Sequence, residues 1–328
     1  MSNDLRSRFT GAALLASLAL GMAIGALSPA AAQDSPVRIV YGFPAGSVGD
    51  TLTRIIADYM RGPLGRPVVV ENRPGAAGIL ANELVKSARP DGTTILLTPL
   101  ATMVAFPHSY SKLSYDPLKD YIPLVHVAAF QLALGIGEKV PARTVAEYAA
   151  LVKKGGEYTN YASAAAGSLP HFFGVMFART AGLEMTHVPY RGTGAVLPAL
   201  IGGEIPAAVL PIADIGGLAK EGKARLLAVS GAQRSPAFPE VPTFKEVGYD
   251  IEGSAWYATF APAGTPDAVS RPLADAMIAA LKDPAIRARI AGLGLEPTGL
   301  GPTQLGAIMK ADYERWGPVI KASGFKSD

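Results

Sequence analysis

Apolar and polar positions change period several times along the chain, and the changes mark out strands and helices. Val37–Phe43 ("VRIVYGF") is a near-continuous apolar run and reads as a buried strand. After "PAGS", Leu52, Ile55, Ile56, Tyr59 and Met60 recur at i, i+3, i+4, i+7 and i+8, which is one face of a helix. "GPLG" (Gly62–Gly65) stops that helix, and Arg66–Asn72 ("RPVVVEN") reads as a second strand. A helix over Ile79–Ala88, a turn at "RPDG" and a third strand over Thr93–Pro99 complete the first series. A second series begins at Tyr158–Ser163 ("YTNYAS"). There Leu169, Phe172, Phe173, Met176 and Phe177 repeat the helical spacing, and a strand over Thr186–Tyr190 precedes a helix carrying Val196, Leu197, Leu200 and Ile201. Pro206–Pro211 and Ala224–Ser230 add two more strands.

Strands alternating with helices across short Gly/Pro breaks predict parallel sheets covered by helices. The restart divides the chain into two α/β halves, one over residues 33–130 and one over residues 131–257. The remainder, 258–328, carries helices at Asp267–Lys282 and Pro302–Ser323 that are expected to return to the first half. A chain that crosses twice between its halves makes a cleft and a hinge.

Three loops share one design: Phe43–Asp50, Ala162–His171 and Pro189–Gly194 each leave a strand, pass through small residues and enter a helix. In open α/β sheets ligands lie beyond the carboxyl ends of the strands, where helix starts offer unpaired N–H groups and partial positive charge. Ser47 or Asp50 is the expected N-cap of the first helix, Ser168 of the second with Pro170 just inside it, and Thr193 of the third. Loops from both halves facing one cleft would hold a carboxylate from two sides, although Gly, Ser and Pro are also ordinary strand-to-helix punctuation.

Composition sets the compartment. Arg6 and Arg8, then the apolar Gly11–Leu27, then "SPAAA" ending at Ala32, form the three parts of a secretory signal peptide over residues 1–32. The apolar run has 17 residues rich in Ala and Gly, short for a spanning helix. Without the leader the chain carries 28 basic and 26 acidic side chains, which gives no nucleic-acid footprint. There is no cysteine, so thiol nucleophiles, Cys-based metal sites and disulfides are all excluded. A soluble periplasmic protein is expected.

Catalytic signals are sparse. The glycines of "GFPAGSVG" fall at 42, 46 and 49, which is not G-x-G-x-x-G, although Glu71 ends the second strand where a ribose-binding acid would sit. His108, His126, His171 and His187 show no metal spacing. Ser168 and His171 suggest a nucleophile and base, but both begin one helix, where capping explains them more simply. Arg191 is either an anion partner or a solvated loop charge. Trp256 and Tyr257 read as packing residues at the second crossover. No cofactor or metal is implied.

Several blocks resemble the substrate-binding family of tripartite tricarboxylate transporters, the Bug-type periplasmic solute receptors. They are "VVVENRPGAAG", "LSYDPLKDYIPL", "NYASAAAGSLPHFFG", "HVPYRGTG", "RSPAFPEVPTFKEVGY" and "FAPAGTP", which come in the family's order and span nearly the whole mature chain. The resemblance implies two Rossmann-like domains joined by two crossovers, a type II periplasmic binding protein-like fold that closes on its ligand. It implies a non-catalytic monomer that hands a small carboxylate to membrane permease subunits; a sensor kinase partner and an exported hydrolase using Ser168 and His171 are the alternatives. The ligand-binding positions it transfers are Phe43, Pro44, Ala45, Gly46, Ser47 and Asp50, with Thr98 and Ala101. From the second half come Ser163, Ala166, Gly167, Ser168 and His171, with Tyr190, Arg191 and Leu210. Ala45 and Ser47 depart from the family's usual F-x-P-G-G-x-x-D. Leu210 stands where the family often has an acid, with Asp214 four residues later. A ligand ammonium would lose its partner there, so a dicarboxylate or an aromatic carboxylate is favoured over an amino acid.

Overall fold

A computed structural model of the protein describes residues 35–327, and the expected signal peptide lies outside them. Strand β1 (Val37–Tyr41) pairs in parallel with β2 (Val68–Asn72) and β3 (Thr94–Pro99). Helix α1 (Val48–Leu64) packs Leu52, Ile55, Ile56 and Met60 into the core, as the spacing predicts. It runs through Gly62 and Pro63 rather than stopping there, and ends at Gly65 in the left-handed region, which satisfies the last carbonyls. Helix α2 (Ile79–Lys86) covers the other face. A π-turn (Ala101–Ala105) and the short α3 (Phe106–Ser109) follow β3.

The first sheet is mixed. Its order is β11-β4-β10-β3-β1-β2, where β4 (Tyr121–Phe130), β10 (Ala255–Pro262) and β11 (Glu296–Leu300) form its antiparallel side. The second sheet contains β5 (Leu132–Gly137), β6 (Asn160–Ser163), β7 (Thr186–Pro189), β8 (Ala207–Pro211) and β9 (Ala224–Val229) in the order β7-β6-β8-β5-β9. Here β5 is antiparallel to both of its neighbours. The purely parallel sheets expected from strand–helix alternation are thus corrected: β10 and β11 run against the other four strands of the first sheet, and β5 runs against the other four of the second.

Helices α4 (Val145–Lys153), α5 (Leu169–Thr180), α6 (Thr193–Gly202) and α7 (Ile212–Lys220) flank the second sheet. Leu169, Phe172, Phe173 and Phe177 of α5 are all buried. Helices α8 (Asp267–Lys282), α9 (Pro284–Gly292) and α10 (Pro302–Ser323) close the chain. Strand pairing puts the return to the first sheet at Ala255 rather than at Ala258, since Trp256 and Tyr257 lie opposite Ala129 and Ala128 of β4. Helix α10 reaches both halves: Trp316 meets Phe173 edge-on at 5.2 Å, and Asp312 accepts the Trp256 indole N–H at 2.8 Å.

The two crossovers lie against each other. Leu132 N–H donates to Ser230 Oγ and Ser230 N–H donates to the Leu132 carbonyl, each at 2.9 Å. The Gln131 side chain covers Gly231 so closely that a β-carbon there would lie 2.4 Å from its amide.

Candidate functional site

The carboxyl ends of β1, β3, β6, β7 and β8 open into one cavity of about 660 Å³ between the sheets. Four helices begin at its wall: α1 at Val48, α5 at Leu169, α6 at Thr193 and α7 just after Pro211. Each start offers N–H groups without intrahelical partners and roughly half a positive charge, so the shared space favours an anion. Phe43, Phe106 and Phe130 make much of the remaining wall apolar.

The first loop is braced from behind. Asp50 is buried and accepts Gly46 N–H at 2.9 Å, Arg54 Nε–H at 3.0 Å and Asn72 Nδ2–H at 2.9 Å. Burial pushes its pKa up, but the hydrogen bonds from Arg54, Gly46 and Asn72 outweigh that and hold it below the usual carboxylate range. Gly46 has φ +82°, a left-handed conformation that glycine adopts without strain. Ser47 caps α1, its Oγ accepting Asp50 N–H at 3.3 Å. Beneath the loop the buried Tyr41 phenol interacts with Ser47 and Tyr257, and burial pushes its pKa up to about 12.

The second loop is held at both ends by histidines. His187 Nε2 meets Ser163 Oγ at 2.7 Å, and that hydroxyl donates to the Ala165 carbonyl, so His187 carries its proton on Nε2. Gly167 N–H donates to His171 Nδ1 at 3.2 Å. The two imidazoles stack at 3.8 Å with 17° between planes, and Phe325 approaches His171 edge-on. Burial pushes His171 down to about 4 and His187 to about 3, the latter helped by His171, so both are neutral at physiological pH.

The cavity wall includes Phe43, Pro44, Gly46, Ser47, Ala101, Ala166, Ser168 and Arg191 from the expected set. The other eight stand behind it or beside it. Ala45 is an exposed loop tip, and Asp50 and Thr98 are buried supports, the latter sharing a 2.7 Å hydrogen bond with Thr102. Ser163, Gly167 and His171 shape the second loop from within. Tyr190 packs on the apolar core of the second half while its N–H donates to the Ser163 carbonyl. Leu210 is fully buried in the same core, because alternation along β8 turns it away from the cleft.

Thr193 does not cap α6. Gly192 holds that position, and the Thr193 hydroxyl donates instead to Asp214 Oδ2 at 3.0 Å. Asp214 lines the cavity, and burial pushes its pKa up while the Thr193 bond pulls it down in part. Tyr41 and Tyr257 also line it, with burial, then each other and Asp214, pushing the Tyr257 phenol well up. Tyr257 packs against the core and Phe130, as expected, and in addition lines the cavity.

Two catalytic readings lose their geometry. Ser168 Oγ donates to the Ala165 carbonyl at 2.7 Å and accepts the backbone N–H of His171, while the His171 ring nitrogen Nδ1 serves Gly167. Glu71 is engaged by Arg38 and Arg73.

Residues 52–325 match the family described as the tripartite tricarboxylate transporter family receptor, TctC. The chain belongs to this family. It is 29% identical over 322 residues to the protein BugT of Bordetella pertussis, covering 95% of this chain and 98% of that one. A Rhodopseudomonas palustris structure with adipate superposes with TM-score 0.82 and 28% identity, over 89% of this chain and 98% of the other. MatC from Rhodopseudomonas palustris with bound malate gives TM-score 0.78 and 31% identity, over 87% and 99%. The TctC assignment makes this chain a Bug-type solute-binding receptor rather than an enzyme, and its fold is that of the two-domain α/β periplasmic binding proteins.

Proposed function

We propose that this receptor works in the periplasm, where its cleft captures a small organic carboxylate and delivers it unchanged to the permease of a tripartite tricarboxylate-type transporter. The observation that carries the reading is the meeting of helix starts from both halves on one largely apolar cavity. Such starts hold an anion without a fixed counter-charge, at about 0.3–1 kcal/mol each, so several must act together. The relatives with adipate and with malate support a carboxylate as that anion.

In this reading the segment 1–32 directs export and is removed. The two halves close as a monomer about the paired crossovers at Gln131–Leu132 and Ser230–Gly231. Closure excludes water from the cavity, strengthens the N–H to carboxylate bonds and presents a shape that the permease recognises. Ser47 and Gly46 of the first loop and Ser168 with Ala166 of the second are the proposed jaws, with Arg191 at the rim.

A gene deletion followed by uptake of labelled carboxylates tests the delivery step. Loss of uptake of one carboxylate, restored by the gene, is the expected result. Unchanged uptake of a carboxylate that the purified protein binds would overturn transport and favour delivery to a sensor.

A further inference from the structure

The cavity wall holds two charged side chains, and they are of opposite sign: Arg191, exposed at the rim, and Asp214. Asp214 is the third residue of α7, so its carboxylate sits at that helix's own positive start. Its hydrogen bond from the Thr193 hydroxyl comes from the first residue of α6. The side of the cavity built by α6 and α7 is therefore already served by a carboxylate of this chain. The starts of α1 and α5 have no acid in the wall beside them; Asp50 lies behind the first loop, bound to Gly46, Arg54 and Asn72. Phe43, Phe106 and Phe130 supply apolar wall to the same cavity. The phenols of Tyr41 and Tyr257 lie within electrostatic reach of Asp214, and no cation pairs with it among the described residues.

From this arrangement we infer that Asp214 is a specificity-determining residue, which selects monocarboxylates carrying a hydrogen-bond donor at the far end and turns dicarboxylates away. The inference rests on the carboxylate reading above and narrows it. The ligand carboxylate lies at the starts of α1 and α5, its apolar body lies along the phenylalanines, and a distal hydroxyl or amine donates to Asp214. A second ligand carboxylate in that place would meet a like charge in a water-poor cavity, where two carboxylates do not both stay ionised without a large cost. A ligand with no distal donor leaves Asp214 short of a partner as the cleft closes, which is also unfavourable.

Calorimetric titration with 4-hydroxybenzoate, benzoate and terephthalate tests this, since the three share one ring and one carboxylate and differ at the far position. The expected order is 4-hydroxybenzoate, then benzoate, then terephthalate, with at least tenfold between the first and the last. Asp214→Asn, which keeps the shape and removes the charge, is expected to narrow that ratio at least tenfold by raising terephthalate affinity, with thermal unfolding confirming the fold. Terephthalate binding as tightly as 4-hydroxybenzoate to the native protein would overturn the inference, as would a ratio unmoved in Asp214→Asn. Binding of adipate or malate with none of the three aromatic probes would overturn it while leaving the carboxylate reading intact. Failure of every carboxylate to bind would overturn both.

Discussion

A β-carbon placed on Gly49 would lie 2.0 Å from the hydroxyl oxygen of Tyr41, so the first turn of α1 rests directly on that phenol. The contact ties the last residue of β1 to the start of the helix that faces the cavity, and it leaves the Tyr41 hydroxyl beside Ser47. Gly49→Ala must displace either the helix start or the buried ring. The expected cost is about 1–3 kcal/mol of stability by overpacking, read by urea denaturation, together with a fall in carboxylate affinity. Unchanged affinity in a folded variant would show that the first loop tolerates displacement.

Asp50 predicts a second loss. Asp50→Ala removes the acceptor shared by Gly46, Arg54 and Asn72. Charged hydrogen bonds in a buried setting make this worth about 2–4 kcal/mol. Because its folded pKa is depressed, Asp50 contributes stability above the ordinary carboxylate range and loses it as the pH falls through the lowered folded value. Denaturation midpoints at acid pH should therefore fall less in Asp50→Ala than in the native protein.

The stacked histidines give a distinct pH window. Their folded pKa values, about 4 and about 3, lie below the usual histidine value, so the unfolded chain takes up their protons first as the pH falls. Stability from this pair is full above about pH 6.5 and declines below it, by at most about 1.4 kcal/mol per pH unit for each ring. Between pH 6.5 and 5, where most carboxylates remain ionised, His187→Gln is expected to flatten the decline in denaturation free energy. An equal slope in both proteins would contradict the burial of His187 as a neutral ring.

Gly231 tests the hinge. Its substitution by alanine puts a methyl group 2.4 Å from the Gln131 amide, whose Nε2–H now donates to the Gln233 carbonyl at 3.0 Å. That side chain can swing aside, so the fold should survive with about 1–2 kcal/mol lost. Small-angle scattering with and without ligand should show a changed difference in radius of gyration between the two states. Identical differences would place the bending elsewhere.

Much of this fold was legible because local signals agreed. The 3.6-residue spacing in α1 and α5 marks the faces that are buried, and Ser47 and Ser168 cap the helices where small residues follow a strand. The reversed direction of β5, β10 and β11 was not legible, since it is set by how distant strands pair rather than by local pattern. In the site, loop chemistry pointed to segments that line the cavity, but a segment does not reveal which side chains face inward. Leu210 and Asp214 show the limit: alternation along β8 buries the first, while the turn into α7 brings the second to the cavity. His171 and His187 lie 16 positions apart in the chain, and their rings stack because α5, which carries His171, packs on the paired strands β6 and β7.

On the proposed function, the cleft binds a carboxylate and leaves it unchanged. Native mass spectrometry of the protein titrated with a panel of mono- and dicarboxylates, followed by recovery of the bound molecule, tests it most directly. A one-to-one complex with at least one carboxylate, recovered at its original mass after prolonged incubation, is expected. Recovery of a transformed product, or no complex with any carboxylate, would contradict it.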